Sequence, residues 1–522
     1  MEGMQSCDVA IIGGGPSAAA AGRLLATWGR STCILGKPPD RSRGLAESIP
    51  PSTRKLLATV GVVEAVERRR FYATSGNTVW WGSDEARVES FGHGETGFQV
   101  FRPDFDDLLL DEAAAGGADV RRAAIVRAVD VGEDFVTVSG AHGSDPLRLR
   151  CQFVLDCSGR AGVLAKAYRR IEPSYRMCAM VGTWCRPDGW DVPDETHTLV
   201  ETCEDGWVWS VPLSRSVRQI GVMVDGIASR AGAAGLTASY RAELTSARHL
   251  APLAGSATLQ HTWACDAGLY SSDCYAGRRF LLVGDAGSFI DPLSSFGIKK
   301  ALASAWLAAI VANTCLIDPA RQPAAADFFS RREQDVYRTH LRRSSEFARV
   351  AHAHHPHPFW ARRAERGGKE IEEANEDDLL RSPAVQEALE ALRRSPRFAF
   401  TLRDDLRIDK QPVVRGREIV LEDAIALPRR ADPSSAADER GRERTIRFLN
   451  NVDLLSLARI AATHTQVPAV VETYCRAHGR IPLPDLLGAL SFLIASGILS
   501  SGCTADSTGN PAFTAVPARL KV

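Results

Sequence analysis

The chain changes its hydrophobic period three times, and each period predicts a different kind of element. Short continuous apolar runs come first: Val9–Ile12, then Phe153–Leu155 and Phe280–Val283. Such runs, closed by Asp or Gly, predict strands buried on both faces. Behind the first, Gly13-x-Gly15-x-x-Ala18 leads into an Ala-rich helix predicted over 17–27, and behind the third, Gly284-Asp285 leads to a turn and a helix from about Ser295. Between residues 171 and 275 the period becomes two, as in His197–Thr202, Trp207–Val211 and Gln219–Val224, which predicts an antiparallel sheet. Residues 325–400 read as helical and rich in charge, with Arg331–Arg349 as a solvated helix face. After Pro412 the pattern changes again. Asp432–Glu443 predicts a polar linker, followed by helices over 453–463, 467–478 and 485–496 and a short strand opened by Gly497-Ile498-Leu499, an order that looks like a winged-helix module.

The first strand, turn and helix would let backbone approach a pyrophosphate and point a positive helix end at it. Taken alone, such a turn is a weak signal. Four other stretches stand with it: Glu47-Ser48-Ile49-Pro50-Pro51-Ser52, Arg102-Pro103-Asp104-Phe105-Asp106, Asp156-Cys157-Ser158-Gly159-Arg160, and Gly284–Ala301 (GDAGSFIDPLSSFGIKKA). Each has a plain alternative, respectively a Pro-bounded loop, a capped helix, a turn and a turn-to-helix junction. Together, in this order, they resemble the flavoprotein monooxygenases and flavin-dependent halogenases. The resemblance implies an α/β fold with an added antiparallel sheet: a Rossmann-like, p-hydroxybenzoate hydroxylase-like FAD domain (1–75, 101–170, 276–325), a substrate-side sheet (76–100, 171–275), a helical region with linker (326–431) and a winged-helix-like module (440–522). It implies FAD held by Gly13, Gly15, Pro16, Ser17, Ala18, Arg102 and Asp285, with Pro292, Gly297 and Ile298 against the flavin ring. One position departs from the pattern. The second strand, Ser31–Leu35, ends in Gly36 and Lys37 where an acidic residue would hold the adenosine ribose, so weaker FAD binding is expected.

Composition narrows the classes. With 63 basic and 63 acidic residues the net charge is zero and the pI about 7.2, which argues against nucleic acid or an anionic membrane as partner. No apolar run reaches the roughly 18 residues of a membrane span, Leu302–Val311 being the longest candidate, and with the first strand entered within about eight residues of Met1 no secretion signal is expected. The 12 cysteines show no CxxC or framework spacing, so reduced thiols and a cytoplasmic location are expected. The cluster His352–His357 reads as a loop interrupted by prolines, and no metal site is expected.

No second Gly-rich strand-turn-helix is visible, so the expected reductant is either NAD(P)H visiting the surface or a separate flavin reductase. Gly206–Pro212 (GWVWSVP) is similar to the W-x-W-x-[IV]-P pattern of flavin-dependent halogenases, although two tryptophans at period two are often simply core. Halogenation in that family needs a lysine between flavin and substrate, and no lysine lies between Lys55 and Lys166. Monooxygenation through a C4a-hydroperoxyflavin is therefore favoured. Its expected participants are O2, catalytic Glu47, Asp291, Pro292, Gly297 and Ile298, and a substrate pocket of Trp80, Trp81, Trp207, Trp209 and Phe296. The D-P-L-S-S-x-G-I-x-K-A-L variant and the additional carboxy-terminal module most resemble the FAD monooxygenases that hydroxylate a precursor tryptophan during maturation of quinohemoprotein amine dehydrogenase. That implies a polypeptide substrate as partner. The alternatives are a tailoring hydroxylase or halogenase acting on small molecules, and a non-catalytic flavin-binding maturation partner.

Overall fold

The computed structural model describes residues 5–226, 233–366, 376–394, 399–427 and 445–502. The three apolar runs lie side by side in one sheet. Its parallel core is ordered Phe280–Leu282, Asp145–Asp156, Gln5–Ile12, Thr32–Gly36 and Asp119–Arg122. Val9 to Ile12 and Val154 to Leu155 are at most 3% exposed, which is why these segments carry no polar face. An antiparallel extension, Ala124–Val131 with Val136–His142, pairs with the early half of Asp145–Asp156.

The strand of the third run delivers its chain to a long core helix, Gly297–Ile317, which packs against the first helix, Pro16–Thr27, and against a longer helix, Gln322–His354. By length and composition the 21-residue core helix is long and apolar enough to cross a membrane, which corrects the expectation drawn from the shorter run Leu302–Val311. Its apolar window is 78% buried between protein elements, so here it is a core helix. The longer helix continues through His352 and His354, which correct the expected loop: only His355-Pro356-His357 lies between helices.

The period-two region forms the expected second sheet. Seven strands run in the order Thr258–Asp266, Met177–Cys185, Val217–Asp225, Gly206–Pro212, Thr198–Cys203, Gly76–Trp80 and Arg87–Ser90, antiparallel except where Thr198–Cys203 runs beside Gly76–Trp80. A small antiparallel sheet joins Ala46–Ile49 to Gly97–Phe101 and Tyr72–Thr74, and sets Glu47 opposite Val100, two residues before Arg102.

Two compact units result, residues 1–371 with 416–419, and residues 372–415 with 420–522. The second unit contains the expected carboxy-terminal helices, Leu454–Ala461, Val467–His478 and Leu483–Ala495, and the strand Leu499–Gly502. It begins earlier than the expected boundary at 440. Val385, Leu392 and Phe400 share one apolar core with Leu455, Val470 and Leu490, so the segment around 376–402 folds with the module rather than with the helices before it. The expected linker 432–443 lies outside the described residues.

Candidate active site

The parallel strands end together at a cleft, and this convergence is what collects the motifs. At one end the cleft is lined by Gly15, Pro16 and Ser17, at the start of the first helix. That helix has Gly15 as its N-cap, with no side-chain hydrogen bond there, so its first amides are available to an anion. Gly13 and Ala18 do not line the cleft. Gly13 shapes the turn instead: its φ is +133°, and a Cβ there would sit 2.2 Å from the Cys157 carbonyl oxygen. The Asp156-Cys157-Ser158-Gly159 turn is fixed by Asp156, whose buried carboxylate accepts hydrogen bonds from the amides of Ser158 (3.0 Å), Leu164 (2.7 Å) and Ala165 (3.1 Å). It presents Cys157 and Gly159 to the cleft, two positions that motif reading had not assigned to the site.

Arg102 opens its helix beside Gly15. Its guanidinium binds both oxygens of Asp106 (3.0 Å each) and Oε1 of Glu47 (2.5 Å). Burial opposes the charge, but Asp106 and Glu47 outweigh it and hold the Arg102 pKa above the ordinary arginine value. Glu47, expected as a catalytic base, is thus engaged by Arg102, while its region also faces Gly297. Asp285 lines the cleft, on a turn where the Tyr270 hydroxyl donates to its backbone oxygen (2.6 Å).

At the other end the lining is apolar: Val200, Trp207, Trp209, Val211, Phe289 and Leu293. Trp207 and Trp209, two residues apart on one strand, project to the same face with ring centroids 5.0 Å apart. Gly221 lies opposite Trp209 and makes room for it, because a Cβ there would stand 2.1 Å from the indole. Thr198 and Val200 are the missed members of this wall; they alternate on the neighbouring strand, with Val200 opposite Trp209, and the period of two would have found them. Trp80 and Trp81 do not line the cleft. As adjacent strand-end residues they diverge, Trp80 stacking on His249 (4.6 Å) while Trp81 buttresses Trp207 from behind (6.5 Å) and donates its Nε1–H to the Phe347 carbonyl (2.9 Å). Phe296 also lies off the lining, against the His340 ring.

Asp291, Pro292, Gly297 and Ile298 do line the cleft. Asp291 is 6% exposed, accepts the Leu293 amide (3.1 Å), and burial pushes its carboxyl above the usual range, against the pull of that amide and of Arg363. Ser295 at φ +51° turns the chain into the core helix, whose N-cap residue Phe296 forms no side-chain cap, leaving the amides of Gly297 and Ile298 free of one.

Residues 6–311 match the family described as FAD binding domain, and the chain belongs to that family. A tryptophan 2-halogenase of Chondromyces crocatus is 28% identical over 338 residues, 62% of this chain and 65% of that enzyme, just under two thirds of its length. Two solved structures share the fold. The flavin-dependent halogenase CmlS superposes with TM-score 0.73 at 22% identity, covering 99% of each chain; the peptidyl tryptophan dihydroxylase QhpG, essential for tryptophylquinone cofactor biogenesis, superposes with 0.66 at 21% identity, covering 94% of this chain and 99% of its own. FAD is the cofactor of this family. The uncapped helix start, the glycine turn and the charged end of the cleft fit its pyrophosphate and ribityl chain.

Proposed function

We propose that this chain is an FAD-dependent monooxygenase that hydroxylates an electron-rich aromatic ring, a tryptophan presented by a polypeptide. The observation that carries the reading is the chamber of Trp207, Trp209, Val200, Val211, Phe289 and Leu293 directly continuous with the cofactor end of the cleft. A flat aromatic ring packs against tilted indoles and excludes water, which fixes its orientation before reaction. Reduced FAD, when bound, supplies the activation of O2. The amides of Gly297 and Ile298, at a positive helix end, stabilise negative charge developing nearby. Asp291, buried at the cleft wall, keeps its proton to higher pH than an exposed carboxyl. Glu47 holds Arg102 toward the pyrophosphate end. Electrons come from NAD(P)H or from a separate flavin reductase.

Halogenation is the second reading, favoured by the relatives' names and by Trp207, Trp209 and Pro212 standing in the halogenase pattern. Among the described residues, however, no lysine lines the cleft. The polypeptide substrate is supported by the likeness to QhpG over 94% of the chain and by the second compact unit, which offers a second contact to a large substrate. Mass spectrometry of a tryptophan-containing polypeptide incubated with enzyme, FAD, reductant and excess bromide tests all three. Addition of one or two oxygens is expected. Bromine incorporation at a comparable rate would replace the reading with halogenation, and modification of free tryptophan alone would remove the polypeptide.

A further inference from the structure

The core helix buries a lysine, Lys300, to which the sequence patterns give no role. Lys300 has a side chain only 3% exposed; its Nζ donates to the Ser288 carbonyl oxygen (2.6 Å) and lies 3.5 Å from Oδ1 of Asp285. Asp285 faces the cleft, whereas Lys300 stands behind it, outside the lining. From the longer helix, Glu333 approaches the same spot. It is 4% exposed, burial raises its pKa against the attraction of Lys300, and it bonds to Ser304, whose hydroxyl accepts the Gly284 amide (2.9 Å). The turn 284–288 is therefore gripped from behind by the Lys300 ammonium and the Ser304 hydroxyl of the core helix, with Glu333 of the longer helix bonded to Ser304.

An ammonium excluded from water acts over a longer range than an exposed one, because little solvent screens it. His340, whose ring packs on Phe296, has its pKa lowered to about 4, first by burial and then by Arg343, Lys300 and Lys299. An apolar side chain at 300 would leave the Ser288 carbonyl without this donor and the Asp285 carboxylate without its counter-charge.

We propose that Lys300 is a positioning residue for the flavin, which fixes the Asp285 carboxylate and, through its buried charge, favours the reduced, more negative form of the cofactor. The inference rests on the assignment of Asp285 to FAD. Its consequence is that the chain's reduction potential is set partly by a residue that stands outside the cleft lining.

The test uses full-length Lys300→Gln, which keeps the donor to Ser288 without the charge, together with Lys300→Arg and Asp285→Asn. FAD affinity is read by fluorescence titration of apoprotein and reduction potential by dye equilibration. Lys300→Gln is expected to hold reduced flavin tenfold more weakly relative to oxidised flavin, a negative shift of about 30 mV for a two-electron couple. Lys300→Arg is expected to restore the wild-type potential, and the effect of Lys300→Gln is expected to shrink when Asp285→Asn is already present. An unchanged potential in a folded Lys300→Gln protein, or full additivity with Asp285→Asn, overturns the proposal. If Asp285→Asn itself retains wild-type FAD affinity and potential, the assignment of Asp285 fails instead, whatever Lys300 does.

Discussion

The two ends of the cleft are built by opposite means. At the cofactor end, Gly15 and Gly297 lie at helix starts and Arg102 is saturated by Glu47 and Asp106, so backbone amides and fixed charges define the surface. At the chamber end the surface is side-chain carbon, Trp207, Trp209, Val200 and Val211, with Asp291 as a buried polar group. The difference teaches that a backbone-built site tolerates little variation in sequence, since only glycine permits the turn at Gly13, whereas an apolar wall is satisfied by many residues of similar size.

This contrast can be broken by exchanging the kind of damage. The largest effect is expected from Gly15→Val. A Cβ at Gly15 meets Arg102 and Asp106 only at 3.7 and 3.8 Å, so the fold should persist while the branched side chain obstructs the anion site. FAD binding should weaken by about 100-fold or more, the loss of roughly two charge-assisted hydrogen bonds, with the melting temperature of the apoprotein unchanged. Wild-type flavin content in this variant would remove the pyrophosphate from that helix.

Trp209→Ala should do the reverse. Flavin content is expected to stay at the wild-type level while kcat/KM for the aromatic substrate falls by about 10- to 100-fold, measured in steady-state turnover. Equal losses of flavin and turnover would mean that the two ends are not separable.

Asp291 gives a smaller, pH-dependent signature. Its folded pKa is raised above the ordinary 3.8, so its contribution to stability is fully present below that pH and is lost as pH rises through the raised value. Asp291→Asn, which keeps an acceptor for the Leu293 amide, should therefore melt higher than wild type at neutral pH and lose this advantage toward pH 3, as thermal melts across the range would register. A constant difference between the two proteins would show that Asp291 does not titrate as its burial implies.

The smallest effect concerns Gly36. Gly36→Asp supplies the missing acid for the ribose, worth about fivefold or less in FAD affinity, against a Cβ contact of 3.3 Å with the Gly14 Cα. Titration of the apoprotein should find a modest gain; a loss would mean that the close approach of the two chains outweighs the new hydrogen bond.

By itself the sequence determined the parallel strands, the glycine turn, the start of the core helix and the positions of Arg102, Asp285 and Asp291, because each depends on local backbone chemistry or on an unbroken apolar run within a few residues. It also put Trp207 and Trp209 on one face, since a period of two leaves no other choice. Tertiary structure decided the rest. Only the folded chain engages Glu47 with Arg102 across 55 residues, turns Trp80 and Trp81 away from the cleft, and joins residues near 385 to the carboxy-terminal core. Only there does Lys300 meet Asp285 from behind, and Glu333 approach from a second helix. Contacts of this kind depend on which helix faces cross, and no local pattern of residues encodes where two distant faces meet.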